Sequence, residues 1–196
     1  MKHRQSAGIS EFKRAHEHEN GYNRAQVDDF FAVLAGDFEN LRQGVITETT
    51  HTASYIRQKS FDAEAGGYAV TDVDLALDRV EDRFAEFERR LQIEQLGKNA
   101  WEEKVEKTAA LVMGRLNRPD GERFRRPARK STKGYFVKDV DLLCHRLGDH
   151  FRSAEELSPS IIRSATFASA TGDMSYEETQ VDAFIDRCIE LMLDLR

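Results

Sequence analysis

Four aspartates recur at one spacing in this 196-residue chain. Asp28, Asp74, Asp141 and Asp182 each follow a valine (Val27, Val73, Val140, Val181) and each stand six residues after a tyrosine (Tyr22, Tyr68, Tyr135, Tyr176). Such a set invites a reading as a carboxylate site. Recurrence at one position of a predicted helix favours a structural role instead, because an acid in the first turns suits the helix macrodipole. Other reactive residues are sparse. Cys144 and Cys188 lie on apolar helix faces without a CxxC partner, as small core hydrophobes do. His16 and His18 have no ligand cluster nearby, and His145 and His150, five apart, do not share a helical face. Walker A, HExxH, GxSxG and paired-cysteine metal motifs do not occur. The expectation is therefore no enzyme, no cofactor and no metal.

The residues around the aspartates define a repeated unit. Gly21, Gly67 and Gly134 precede the first three tyrosines, and Ser175 precedes the fourth. Gln26, Asp72, Asp139 and Gln180 precede the valines, and Phe12, Phe61, Phe124 and Phe167 lie upstream. Ile56-Arg57 and Ile162-Arg163 stand at the same distance before Phe61 and Phe167. After each valine the apolar residues keep helical spacing, as in Val27, Phe30, Phe31, Leu34 and Phe38. Each unit thus reads as an extended or hairpin-like lead, a turn in which glycine permits a positive φ, and an amphipathic helix. The tyrosine is expected to lay its ring on the first turn of its own helix with its hydroxyl wet. Asn23 and Gln26 fit a capping box.

This pattern resembles the DivIVA domain in its repeated actinobacterial form: a Phe, a short loop, Gly-Tyr and an acidic-Val-Asp helix start. The resemblance implies a scaffold that oligomerises and organises bacterial cell division or polar growth. Membrane-binding members of that family carry Phe-Arg immediately before Gly-Tyr. Here those places hold Glu19-Asn20, Ala65-Gly66, Thr132-Lys133 and Asp173-Met174, so the lipid-inserting tip is absent.

The expected fold is mainly α, with four turn-plus-helix units and one long coiled-coil-like helix. Repeat one covers residues 1–43, a threonine-rich connector 44–55, repeat two with an extended helix 56–117, a basic loop with repeat three 118–157, and repeat four 158–196. Leu77, Val80, Phe84, Phe87 and Leu91 continue from Val73 as a heptad seam whose register persists past Gly97 to Trp101, Val105 and Val112. That persistence predicts one helix over residues 72–116, against a fold-back at Gly97 with a new capping box at Asn99 and Glu102. The pairs Glu86–Arg90 and Glu103–Lys107 would support it. The seam needs a partner, either another copy or the helices of the other repeats.

Charged residues make up 33% of the chain and apolar ones 40%, which suits exposed helices. The net charge of -6 disfavours nucleic acid as a general partner. No apolar run approaches the ~20 residues that span a bilayer, and residues 1–10 lack the apolar stretch of a secretory signal. A cytoplasmic location is expected, septal or polar through partners. Against this stands one basic run, Arg118, Arg123, Arg125, Arg126, Arg129, Lys130 and Lys133, broken by Pro119 and Pro127. It supports the alternative of a polyanion-binding adaptor for anionic membrane or nucleic acid, with Phe124 as a membrane-facing anchor. The leading expectation is a non-enzymatic scaffold or adaptor that binds protein partners, itself included.

Overall fold

The computed structural model describes residues 12–45, 47, 50–153 and 156–196. What the sequence suggests for residues 1–10, for positions 46, 48 and 49 of the connector, and for positions 154 and 155 lies outside the described residues. The described chain is mainly helical and divides into two compact units, Met1–Glu88 and Arg89–Arg196.

In the first unit, strand β1 (Asn20–Tyr22) leads into helix α1 (Arg24–Arg42), and short helix α2 (Ala53–Arg57) leads through β2 (Ala63–Ala65) into α3 (Val70–Leu96). Asn23 caps α1 as expected, its side chain accepting the Gln26 N–H at 3.0 Å. The second half of the capping box is redirected. Gln26 Nε2 donates to Asp62 Oδ2 at 2.7 Å and its Oε1 accepts the Asp62 N–H at 2.9 Å. β1 and β2 pair antiparallel, with Gly21 opposite Glu64. Val27, Phe30, Leu34, Ile56, Val73 and Phe84 of this unit are buried.

In the second unit, α4 (Lys98–Leu116) precedes β3 (Lys133–Phe136) and α5 (Val137–Ser153). Short helix α6 (Pro159–Arg163) then leads through β4 (Ser169–Thr171), a 3-10 turn (Gly172–Met174) and β5 (Ser175–Tyr176) into α7 (Glu178–Asp194). The sheet order is β4-β3-β5, all antiparallel. α7 contacts α4 and α6, and its Cys188, Ile189, Leu191, Met192 and Leu193 are all buried, as in a helix covered on more than one side.

The single helix over residues 72–116 is not formed. α3 ends at Leu96 and α4 starts at Lys98, with Gly97 at φ 83° and ψ 152°, a conformation that only glycine adopts without strain. The chain folds back there, because Lys104 Nζ reaches Gln92 Oε1 at 2.8 Å, whereas twelve residues of one helix would separate them by about 18 Å. The cap of α4 is Gly97, so the box at Asn99 and Glu102 is not its start either. The apolar register survives the break because each segment packs its own stripe: Val73, Leu77, Phe84 and Leu91 on α3, Val105 and Val112 on α4. Glu103 pairs with Lys107 at 2.7 Å, and Glu86 carries Arg83 at 3.1 Å. The connector ends earlier than position 55, since Ala53–Arg57 is helical with Thr52 as its cap.

Candidate functional site

The repeated residues meet in pairs, repeat one with two and repeat three with four, and the Tyr–Phe ring contacts and Tyr–Asp hydrogen bonds of the motif all cross to the paired repeat. Tyr22 and Tyr68 exchange backbone hydrogen bonds, N–H to O=C, at 2.9 Å in both directions. Tyr135 pairs with Tyr176 in the same way between β3 and β5. Each tyrosine ring packs on the phenylalanine of the other repeat. Phe12 meets Tyr68 with centroids 5.3 Å apart, Phe61 meets Tyr22 at 5.3 Å, Phe124 meets Tyr176 at 5.2 Å and Phe167 meets Tyr135 at 5.0 Å. These edge and tilted geometries are the ones aromatic quadrupoles favour.

The polar groups follow the same rule. Tyr22 donates to Asp74 and Tyr135 to Asp182, while Tyr68 donates to Asp28 at 3.3 Å and Tyr176 to Asp141 at 3.1 Å. The N–H after each tyrosine (Asn23, Ala69, Phe136, Glu177) donates to the carbonyl of the residue after the opposite phenylalanine (Asp62, Lys13, Ala168, Arg125). The acceptor before valine is also used: Gln26, Asp139 and Gln180 take the N–H of Asp62, Ala168 and Arg125 at 2.9, 2.9 and 3.2 Å. Each unit is thus an approximate twofold made within one chain.

This pairing corrects two expectations. The glycine before tyrosine is not at positive φ. It is required because a Cβ on Gly21, Gly67 or Gly134 would overlap the carbonyl oxygen of Tyr68, Tyr22 or Tyr176 across the crossing. In repeat two the positive φ falls one residue earlier, at Gly66. The tyrosine leans on the opposite repeat rather than its own helix, and Tyr176 is wholly buried, hydroxyl included.

Burial raises the pKa of Tyr22, Tyr135 and Tyr176, with the facing aspartate adding to it; Tyr135 is pushed up to about 12. Burial likewise raises Asp74 and Asp182, against the lowering effect of the tyrosine hydrogen bond. A phenol and a carboxylate held this way share a proton-donating contact and need no further ligand. Cys144 and Cys188 are buried with pKa raised by desolvation, Cys144 to about 12, as inert core thiols are.

The basic run does not survive as one surface. Arg123 is 3% exposed, and its guanidinium binds Asp120 at 2.6 Å and Asp141 at 2.8 Å. Gly121 N–H also donates to Asp141, and His145 Nε2 lies 2.9 Å from Asp120. Arg126 stacks over the Tyr176 ring at 4.8 Å and donates to the Gly121 carbonyl. Phe124 is buried between Tyr176 and Phe184, so it is no membrane anchor. Arg118, Arg125, Arg129, Lys130 and Lys133 stay exposed, with Arg125 paired to Glu177 at 3.3 Å. Spacing alone does not distinguish Arg123 from its neighbours; its place immediately before the repeat phenylalanine was the available signal.

The seam residues Leu77, Phe84 and Leu91 are buried and Val80 and Phe87 half-buried within the chain, with Phe38 of α1 stacked on Phe84 and Phe87 at 6.0 and 5.2 Å. Among the described residues no helix is long and apolar enough to cross a membrane, and no group of three metal-ligating side chains gathers. Comparison with protein-family models, curated proteins and solved structures finds no match to this chain.

Proposed function

We propose that this chain is a non-enzymatic scaffold or adaptor of DivIVA-repeat type, which binds protein partners, itself included, and serves bacterial cell division or polar growth. The observation that supports it is the reciprocal interlocking of all four Phe, Tyr and Asp sets. The groups that would otherwise be candidates for chemistry are engaged in closing two modules. What remains for function is the outside of those modules: a highly charged surface with isolated apolar residues such as Leu75, Leu111 and Leu142.

Light scattering coupled to size exclusion, across protein concentration, tests the reading. A mass that rises with concentration is expected. A monomer throughout would leave hetero-partners, sought by crosslinking in cells with the crosslinked residues identified. Failure of both sinks the proposal. A polyanion-binding adaptor is a second reading, favoured by the exposure of Arg118, Arg129, Lys130 and Lys133. It requires binding to anionic vesicles or nucleic acid that disappears as salt rises.

A further inference from the structure

The loops that cap the two crossings share a backbone frame and carry opposite charge. In the first unit residues 16–19 turn over Gly66: Gly66 N–H donates to the Glu19 carbonyl, Glu19 N–H to the His16 carbonyl, and a Cβ on Gly66 would lie 4.0 Å from Glu17 Cα. In the second unit Thr132 N–H donates to the Arg129 carbonyl, and a Cβ on Gly172 would lie 3.7 Å from the Lys130 carbonyl oxygen. Both glycines have positive φ, 65° and 61°. Counting back from Tyr22 and Tyr135, Glu17 corresponds to Lys130, His16 to Arg129 and Asn20 to Lys133.

The side chains at both tips are exposed, and neither Glu17 nor Glu19, nor Arg129, Lys130 or Lys133, has an ion-pair partner among the described residues. Exposed Met174 adds apolar surface at the basic tip, and Asp173 is the one acid within residues 129–133 and 172–174 that form it. The charge difference extends to whole units: residues 1–88 hold seventeen acids against ten bases, and residues 89–196 eighteen against nineteen.

We infer that the basic tip, Arg129, Lys130 and Lys133, docks on the acidic tip, Glu17 and Glu19, of a second copy of this chain. The contact is heterologous, joining the basic tip of one copy to the acidic tip of another, two different surfaces of the same chain. It rests on the scaffold reading in being an association of the chain with itself, and it specifies where that association occurs.

Two charge-reversed full-length proteins decide it, Lys130→Glu with Lys133→Glu, and Glu17→Lys with Glu19→Lys. All four positions are exposed, and unchanged circular dichroism confirms folding. Sedimentation at low salt is expected to show wild-type mass rising with concentration and returning to monomer at about 1 M salt, where screening reaches about 3 Å. Each reversed protein alone should associate about tenfold more weakly or worse, since both of its tips then have one sign. An equimolar mixture of the two should recover the association. Wild-type protein that stays monomeric overturns the inference and leaves the scaffold reading to hetero-partners. Self-association unmoved by either reversal overturns the tip contact and leaves self-association standing. Loss of phosphatidylglycerol-vesicle binding in the Lys130→Glu, Lys133→Glu protein, with monomeric wild type, would assign the tip to a lipid surface instead.

Discussion

The two units close by one set of bonds, yet they differ in how deeply one tyrosine–aspartate pair is withdrawn from water. In the first unit Asp28 is exposed where Tyr68 reaches it. In the second, the equivalent Asp141 is 5% exposed and accepts from the Tyr176 hydroxyl, the Gly121 N–H and the guanidinium of a 3% exposed Arg123. The frame therefore demands an aromatic lead, a tyrosine crossing and a carboxylate, and leaves the dielectric around them free to vary. A buried charge of this kind is held only by its partners, so the two units should respond very differently to the loss of a single charge.

The largest effect should come from Arg123→Met. It leaves the Asp141 carboxylate in the core without its cation, and a loss of about 3–5 kcal/mol is expected in urea unfolding. Replacing both, Arg123→Met with Asp141→Leu, should recover much of it, because no charge then remains to be desolvated. Asp28→Asn in the first unit should cost under about 1 kcal/mol, as exposed charge-assisted contacts do. Equal costs at Asp28 and Arg123 would mean that the second network is as wet as the first.

Next in size is the crossing itself. Gly21→Ala places a methyl on the Tyr68 carbonyl, a backbone atom that cannot turn aside, and about 3 kcal/mol of destabilisation follows. The second unit tolerates a side chain at the equivalent place on one of its two strands. Ser175 is fully buried there and donates to the Gly172 carbonyl at 3.0 Å, a bond made available by the 3-10 turn that lengthens this lead. Ser175→Gly should cost only about 1 kcal/mol, the value of one hydrogen bond. Midpoints of urea unfolding compare the two.

Much of the repeat was legible because period and spacing are local properties. The four amphipathic helices, the Asn23 cap and the core valines all follow from them. The partner of each motif residue was not legible, since a glycine that must admit a carbonyl and one that must take positive φ look alike until the carbonyl's owner is known. Gln26 has the spacing of half a local cap and instead serves Asp62, 36 residues away. The fold-back at Gly97 was hidden because two stripes meeting at a glycine happen to keep heptad phase. The sign of Gly97→Ala tests that point. A continuous helix would gain about 1 kcal/mol, whereas the observed φ of 83° predicts a loss of about 1–3 kcal/mol.

A further effect is in pH, and it also separates the units. Tyr22, Tyr135 and Tyr176 have folded pKa values above the ordinary value of about 10, chiefly from burial. A raised folded pKa means that the unfolded chain releases its proton first. The stabilisation is therefore complete below about pH 10 and lost as pH climbs through the folded value, about 12 for Tyr135. One such tyrosine lies in the first unit and two in the second, so alkaline unfolding should weigh on the second. Phenolate absorbance should lag behind that of free tyrosine until the chain opens, and Trp101 fluorescence, from α4 of the second unit, should change in the same step. Tyr135→Phe should reduce the alkaline loss more than Tyr22→Phe, because Tyr135 faces both Asp182 and Glu178 whereas Tyr22 faces Asp74. The reverse order would place the larger rise in tyrosine pKa in the first unit and undo the contrast between them.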